Sequence, residues 1–462
     1  MNHLAIIGTF LCDEGKEILM LNRHFLIIRL FLLGICFSFA NNAYAVLDIE
    51  LTNGVTQSIP MAVLTFQGEN NLALGQPFSA VIRHDLNLSG QFDARNPSLR
   101  GEVGTPEAVA MNYQYWRGQS VDDVLVGRIQ PVGFHRYQVM VGLVDLYRGT
   151  TAPTKILINE QFNVSDGDLR GLAHHISDLV YEKLTGVKGI FSTRLAYVLV
   201  TQTLEGKKQY SLQVSDVDGY RPRSILISPQ PIMSPSWSPD GKQVAYVSFE
   251  SKLPEIYISN VTTGQRRKIT SFPGINGAPE WSPDGSRLAV ALSMKQSNPN
   301  IYLIHLGTGQ LTQITRDNSI NTEPAFSPDG RSLIFTSDRG GRPQIYQVNL
   351  GTLETKRVTF NGNYNASASF LPDAKNIVLL HRGDTLFNIA VMDLKNGTVK
   401  ELTKAGRDES PSAAPNGKVI VYATRVNGKG VLEMVSMDGN VQLRLPDLLG
   451  TVQEPAWSPY MS

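Results

Sequence analysis

The pentapeptide Trp237-Ser-Pro-Asp-Gly241 returns as Trp281-Ser-Pro-Asp-Gly285 and again as Phe326-Ser-Pro-Asp-Gly330. It decays to Phe370-Leu-Pro-Asp-Ala374 and Ala413-Ala-Pro-Asn-Gly417, and last occurs as Trp457-Ser-Pro-Tyr460. The aromatic position advances by 44, 45, 44, 43 and 44 residues. A period of this length built from several short strands is the mark of β-propeller blades. Each unit has the same grammar. After the Asp-Gly turn comes a β-rich run such as Gln243–Phe249 or Ser332–Ser337, and then a second such as Glu255–Ser259 or Gln344–Val348. A further turn (Thr263-Gly264, Thr308-Gly309, Asn396-Gly397, Asp438-Gly439) leads to a last strand such as Arg267–Thr270. Asp-Gly and Asn-Gly supply the positive φ that tight hairpins require.

The ends of the repeat region fit each other. Residues 194–228 carry three strands of a unit with no aromatic-Ser-Pro strand ahead of them, and Trp457-Ser-Pro459 carries that strand with no unit after it. The C-terminal strand is therefore expected to complete the first blade. The fold class is mainly β: a six-bladed propeller of four-stranded blades over 194–462, closed so that only short edges remain. The repeated aromatics are expected between blades, where each buries about 150–250 Å². The Asp of each Ser-Pro-Asp-Gly is compatible with a turn role and with a metal ligand, one per turn.

Working outward, residues 46–186 lack the repeat and read as a small α/β domain on one mixed sheet. Met61–Phe66, Val124–Ile129, Tyr137–Tyr147 and Lys155–Ile158 read as strands. Phe78–Leu88 has apolar positions at helical spacing. Pro106–Trp116 and Asp168–Leu184 read as further helices, the last with Asp166 as cap and Gly186 as its stop. Val187–Thr193 reads as a short linker. At the mature start, Leu47, Ile49 and Leu51 alternate with Asp48 and Glu50, a strand pattern. It suits an ordinary edge strand of the α/β domain, and equally a detachable strand that adds to a partner's sheet.

The first 45 residues read as a secretory signal. Arg23, His24 and Arg29 precede the apolar run Leu30–Phe39, and Ala43-Tyr44-Ala45 is a cleavage motif placing the mature start at Val46. The apolar run is half the length a membrane span needs, so no membrane insertion is expected. Asp13, Glu14 and Glu17 precede Met20 and suit no signal; translation from Met20 gives one of ordinary length. Both cysteines, Cys12 and Cys36, lie in the removed part. The mature chain thus has no disulfide and no thiolate metal site. A net charge of +1 over 462 residues speaks against nucleic acid.

Motifs of catalysis are missing: no G-x-S-x-G, no H-E-x-x-H, no phosphate-binding loop. His174 and His175 are adjacent on a helix and point about 100° apart, unlike a ligand pair at i, i+4. No cofactor or metal is expected. Attention falls instead on the segments ahead of each aromatic: Met233–Ser236, Asn276–Glu280, Asn321–Pro324, Asp408–Pro411 and Gln453–Pro455. They recur once per blade and would crowd one mouth of the channel as a polar, mildly acidic rim. They suit loops that start the inner strand and, equally, a partner-binding face.

Several stretches carry a resemblance to a family: Arg194-Leu-Ala-Tyr197, Ser215–Tyr220, Ser228–Ile232, Asn276-Gly-Ala-Pro279, Asn321-Thr-Glu-Pro324 and Pro455–Pro459. With the signal, the α/β domain and the six repeats, the mature chain resembles the TolB family, a periplasmic component of the Tol-Pal system. The resemblance implies a protein-binding role without catalysis, in outer-membrane integrity and constriction at cell division. It implies that the mouth binds the lipoprotein Pal, here through Asn276, Gly277, Ala278, Asn321, Thr322, Glu323 and Pro324. It implies that the N-terminal strand, Val46, Leu47, Asp48, Ile49, Glu50 and Leu51 within 46–55, binds the C-terminal domain of TolA. The chain departs from the family wording at Ala413, Leu371 and Ala374, so the rim at 365–369 and 408–411 is expected to differ in shape. Two other classes remain: a peptidase of the prolyl-oligopeptidase type, for which the companion domain is too small, and a propeller that binds a glycan or small ligand in its channel.

Overall fold

A computed structural model describes residues 49–50, 58–72, 76–97, 104–148, 154–294, 298–383, 385–404, 406–446 and 449–461. The signal, its cleavage site at Ala45 and Val46, and the alternative start Met20 lie outside the described residues, as do Val46–Asp48 and Leu51.

A five-stranded mixed sheet forms the first layer. In chain order the elements are β1 (Ile49–Glu50), β2 (Ile59–Val63), α1 (Phe78–Leu88), β3 (Phe92–Arg95), α2 (Pro106–Met111), α3 (Tyr113–Gly118), β4 (Asp123–Gly133), β5 (Arg136–Asp145), β6 (Lys155–Ser165) and α4 (Leu169–Thr185). The sheet order is β3-β2-β4-β5-β6. β2 is parallel to β3 and β4, and the rest is antiparallel. One face packs on α1 and α4 through Phe78, Ile82, Ile176 and Val180. The other packs on α2 and α3 through Val109 and Trp116.

Local chemistry sets the element ends. Thr105 Oγ1 accepts from the Ala108 amide at 3.3 Å and Pro106 takes the first helical position, where its missing N–H costs nothing. The helix expected over Pro106–Trp116 is two helices. Asn112 leaves the helical region (φ −105°, ψ 26°), and its side-chain amide donates to Ala108 O at 3.0 Å. An Asn side chain thus competes with the helical ladder. Gly186 ends α4 at φ 72°, a conformation that suits glycine. Asp166 does not cap α4. It sits in a 3-10 turn, its carboxylate 2.5 Å from His135 Nδ1, and Asp168 takes the cap position without a side-chain bond to the helix, its carboxylate accepting from Ser165 Oγ instead. β3 escaped the sequence reading, and β6 runs seven residues past Ile158 as an edge strand with a mostly exposed outer face.

The propeller has six sheets. Blade 1 is Thr451–Trp457 followed by Arg194–Gln202, Lys208–Asp216 and Arg223–Ser228, so the C-terminal strand closes the ring as expected. Blades 2 to 6 begin at the inner strands Ile232–Trp237, Asn276–Trp281, Asn321–Phe326, Tyr364–Phe370 and Glu409–Ala413. The repeated aromatics Trp237, Trp281, Phe326 and Trp457 are buried and Phe370 is half-buried, and Trp237 Nε1 donates across the blade boundary to Ala456 O at 3.1 Å. The Ser-Pro-Asp-Gly turns are self-contained. In blade 3, Ser282 Oγ donates to Asp284 Oδ1 at 2.6 Å, and the Ser286 amide donates to the same oxygen at 3.0 Å. The serine hydroxyl and backbone amides hold that carboxylate down to about 2.

The two bodies share a core. Leu169, Ala173, Ile176 and Tyr181 of α4 pack in one cluster with Leu195, Tyr197, Val419 and Leu443 of blades 1 and 6. The segment read as a linker is part of it: Ile190 and Phe191 are buried, and Asp178 accepts from the amides of Phe191 and Ser192 at 2.7 and 3.1 Å.

Candidate partner-binding face and channel

Each inner strand begins on one face of the ring and runs to the Ser-Pro turns on the other. The α/β body meets blade 1 at Asp216 and Asp218, on the turn between its outer two strands, and blade 6 at Asn416. These turns lie on the Ser-Pro side. The opposite mouth stays clear of that body.

The segments expected as rim loops are the first halves of the inner strands. In every blade the register with the next strand slips at the same place: between Met233 and Ser236, Gly277 and Glu280, Thr322 and Ala325, Ala366 and Ser369, Glu409 and Ser412, Gln453 and Ala456. The slipped residue has positive φ each time: Ser234 51°, Ala278 47°, Glu323 52°, Ser367 49°, Ser410 52° and Glu454 51°. Proline follows in five of the six. Proline cannot donate to a ladder, so inside a sheet it needs a bulge. Six bulges thus ring the channel, each bending its strand and turning side chains inward.

The channel between bulges and Ser-Pro turns has a volume of about 390 Å³. Glu280, Glu323 and Glu454 line it, and no Lys or Arg does among the described residues. Glu280 accepts from Ser236 Oγ at 2.7 Å, and Glu454 accepts from the Ser234 amide. Confinement in the wall pushes Glu280 up to about 7, against the help of Ser236. Burial, with the charges of Glu409 and Glu323, pushes Glu454 up to about 7 as well.

The expected site residues divide. Asn276 and Asn321 are fully buried and clamp the loops that lead into their strands. Asn276 Nδ2 donates to Phe272 O at 2.6 Å and its Oδ1 accepts from the Phe272 amide at 3.1 Å. Asn321 Nδ2 donates to Asp317 Oδ1 at 3.1 Å, and its Oδ1 accepts from Arg339 at 2.9 Å. Pro324 is buried, while Gly277, Ala278, Thr322 and Glu323 are half-buried around the mouth. Sequence reading missed what surrounds them. Leu449, Met233, Phe272, Ile275, Ile320 and Phe360 are exposed large apolar side chains beside the starts of five inner strands. Of the eleven such side chains described in the propeller, nine lie on this face. The signal was legible: an Ile directly ahead of both Asn276 and Asn321. A concentration of apolar surface with a polar surround marks a protein interaction site.

On the far side, β1 pairs antiparallel with the outer strand of blade 6 (Gln442–Arg444), with Ile49 opposite Leu443 and Glu50 opposite Gln442. The expected terminal strand thus extends a propeller blade and not the α/β sheet.

At the junction of the bodies, Asp85, His174 and Asp218 bring one ligand atom each within 4.8 Å of one another. Asp85 Oδ2 takes His174 Nδ1 at 2.8 Å and Ser177 Oγ at 2.7 Å. Arg170 binds Asp218 and Asp216, and Arg221 binds Asp216 at 2.8 Å. Burial alone would depress His174, but the carboxylates of Asp85, Asp216 and Asp218 push it up to about 10. Three carboxylates face two guanidiniums and one imidazolium, a balanced set that needs no metal. This is a structural ionic junction.

The chain matches the model of the TolB beta propeller domain over residues 181–461 and that of the TolB amino-terminal domain over 47–152. The chain belongs to the TolB family. It is 53% identical over 421 residues to the Tol-Pal system protein TolB of Coxiella burnetii, covering 91% of this chain and 95% of the relative. With the protein of the same name from Pseudomonas syringae pv. tomato it is 47% identical over 438 residues, covering 94% and 99%. The crystal structure of TolB from Acinetobacter baumannii is similar at a TM-score of 0.80 and 39% identity, covering 90% of this chain and all of that one. No helix among the described residues is long and apolar enough to cross a membrane.

Proposed function

We propose that this TolB-family chain is a periplasmic protein-binding component that takes Pal on the propeller mouth and the C-terminal domain of TolA on residues 46–51. In this role it links outer and inner membranes, supports outer-membrane integrity and helps the outer membrane constrict at division. It does no chemistry. The observation that carries the reading is the mouth itself: exposed apolar side chains around a rigid, acidic, bulge-lined funnel. Gly277, Ala278, Thr322 and Glu323 stand at its inner edge, and Asn276, Asn321 and Pro324 shape the strands that present them. The N-terminal strand is suited to TolA because a two-residue pairing at a blade edge is short enough to exchange for a partner's sheet. If bound Pal changes that pairing, the two partners are coupled, by about 1–3 kcal/mol in a typical allosteric protein.

The test is capture of Pal from outer-membrane extract by the mature protein, beside a variant carrying Ile275→Asp and Ile320→Asp. Capture by the first and loss with the folded second supports the reading. Equal capture moves the surface elsewhere, and failure of both removes the Pal assignment. Deletion of residues 46–55 should abolish TolA binding; retained binding would exclude that strand.

A further inference from the structure

β6 (Lys155–Ser165) is the outermost strand of the α/β sheet, and among the described residues no backbone group bonds to its free side. A free edge presents a row of N–H and C=O groups that can template another strand, and proteins blunt such edges with short strands, cations, prolines and bulges. This protein does so at its other edges. The outer strands of blades 2 to 6 are three to five residues long. Arg266, Arg267 and Lys268 stand on that of blade 2, and Lys356 and Arg357 on that of blade 4. β3, at the opposite edge of the same sheet as β6, has four residues. β6 has eleven, no proline, and one charge, Glu160, beyond Lys155 at its start. It pairs with β5 without interruption from Ser165 back to Ile158, so its free side is regular over the same stretch.

The side chains of that stretch fall into two sets. Ile158, Phe162 and Val164 pack on the apolar layer under α1 and α4. Asn159, Gln161 and Asn163 stand on the other face, opposite Gly142, Met140 and Gln138, and all three are exposed. A second copy of β6, laid antiparallel about a two-fold axis at Gln161, matches both sets. Asn159 meets the second copy's Asn163 and Gln161 meets its own equivalent, amide against amide, each a donor and an acceptor. On the apolar side Ile158 meets Val164. Glu160 arrives opposite Phe162, whose ring lies 5.8 Å from the exposed imidazole of His175. Lys155 comes level with the second copy's acidic turn, Asp166–Asp168. Other axes fit worse. One at Glu160 sets two carboxylates face to face, which destabilises a strand pair, and one at Phe162 sets Glu160 against Val164.

We propose that β6 is a self-association edge: two copies of the mature chain pair antiparallel through it about an axis at Gln161, joining two five-stranded sheets into one. The contact is one strand edge and its flanks, at the small end of specific interfaces, so the dimer is weak and depends on concentration. It uses neither the propeller mouth nor β1, and is independent of the binding role proposed above.

Residues 46–462 contain no cysteine, so an introduced thiol reports without background. In the mature chain, Gln161→Cys sets two thiols across the axis, where opposite Cβ atoms are about 4.5–5.5 Å apart, near disulfide reach. With oxidised glutathione it should give a linked dimer that reductant reverses. Asn163→Cys alone should not link, its equivalents being about 13 Å apart along the strand, but mixed with Asn159→Cys it should. Sedimentation of the parent should show dimer on raising its concentration to about 0.1 mM. Gln161→Lys, which puts like charges on the axis, should weaken association at least ~10-fold with native circular dichroism retained. A parent that stays monomeric throughout, a Gln161→Cys that links no faster than Asn163→Cys, or a Gln161→Lys that associates like the parent would each overturn the proposal.

Discussion

Glu323, at the bulge of blade 4, closes on Ser367, at the bulge of blade 5. One carboxylate oxygen accepts from the Ser367 amide at 2.8 Å and the other from its hydroxyl at 2.8 Å. Thr336 Oγ1 adds a third bond at 2.7 Å. Glu454 makes the same reach from blade 1 to the Ser234 amide of blade 2. Each reach crosses a blade boundary, so the two side chains tie neighbouring blades together where the backbone itself is strained. Glu323→Ala is expected to cost about 1–3 kcal/mol in denaturant unfolding, since it strips the Ser367 hydroxyl of this acceptor and leaves the Ser367 amide only Thr336 Oγ1 at 3.2 Å. Glu323→Gln keeps an acceptor and should lose less. Equal stability of Glu323→Ala and the parent would show that the bulges are held by the sheet alone.

The apolar residues of the mouth face a different test. Ile275 and Ile320 are 45% and 43% exposed, so Asp at either position removes little core. Each variant should unfold within about 0.5 kcal/mol of the parent. If the mouth receives Pal as proposed, each should weaken that complex by about 1 kcal/mol or more, and together by more than either alone. Surface plasmon resonance on the single and double variants measures this. An unaltered dissociation rate would take both residues out of the interface.

Much of this fold is legible in the sequence, because the repeat is a property of local chemistry. Turn residues at fixed spacing and an aromatic in five of the six units give the blade, the count and the closure at Trp457. The bulge ring was half legible. Proline at 235, 279, 324, 411 and 455 stood in the sequence, and proline in an inner strand demands a bulge. The inner-strand segments read as loops because their proline and small residues argue against a strand when taken alone. Burial of Asn276 and Asn321 was hidden for a different reason. A polar residue looks exposed until its loop folds back to satisfy it, and here Phe272, Gly274 and Asp317 do so. The junction at His174 could not be read either, since Asp85 and Asp218 are remote in sequence and meet only when α1, α4 and blade 1 pack.

The channel carboxylates give a pH dependence of definite sign. Glu280 and Glu454 ionise near 4.5 when exposed and near 7 in the fold. Between those values the native state holds more protons than the unfolded chain, so stability falls as pH rises through this window. Glu280→Gln removes the desolvated charge. It should stabilise the protein by about 1–3 kcal/mol at pH 8 and have little effect near pH 4.5. Unfolding free energies across that range test it; a variant equally stabilised at both ends would place the effect in packing.

His174 gives the opposite window. Its folded value of about 10 lies above the ordinary 6.5, so its ionic contacts stabilise fully below pH 6.5 and are lost as pH rises toward 10. At neutral pH, His174→Gln keeps the shape of the side chain and deletes the charge between Asp85 and Asp216. Asp85, 0% exposed and with one oxygen already lacking a partner, would then face no cation directly. Breaking a buried pair from one side costs about 3–5 kcal/mol, and a loss at the lower end is expected because Ser177 still donates to Asp85. The contact joins α4 to blade 1 through Asp216 as well, so the loss should appear as earlier separation of the two bodies. Hydrogen exchange in α4 and in the 208–216 strand should rise together in the variant at pH 7. In the parent the same rise should appear only above pH 8. If exchange rises in α4 alone, the imidazolium serves the α/β core and not the junction.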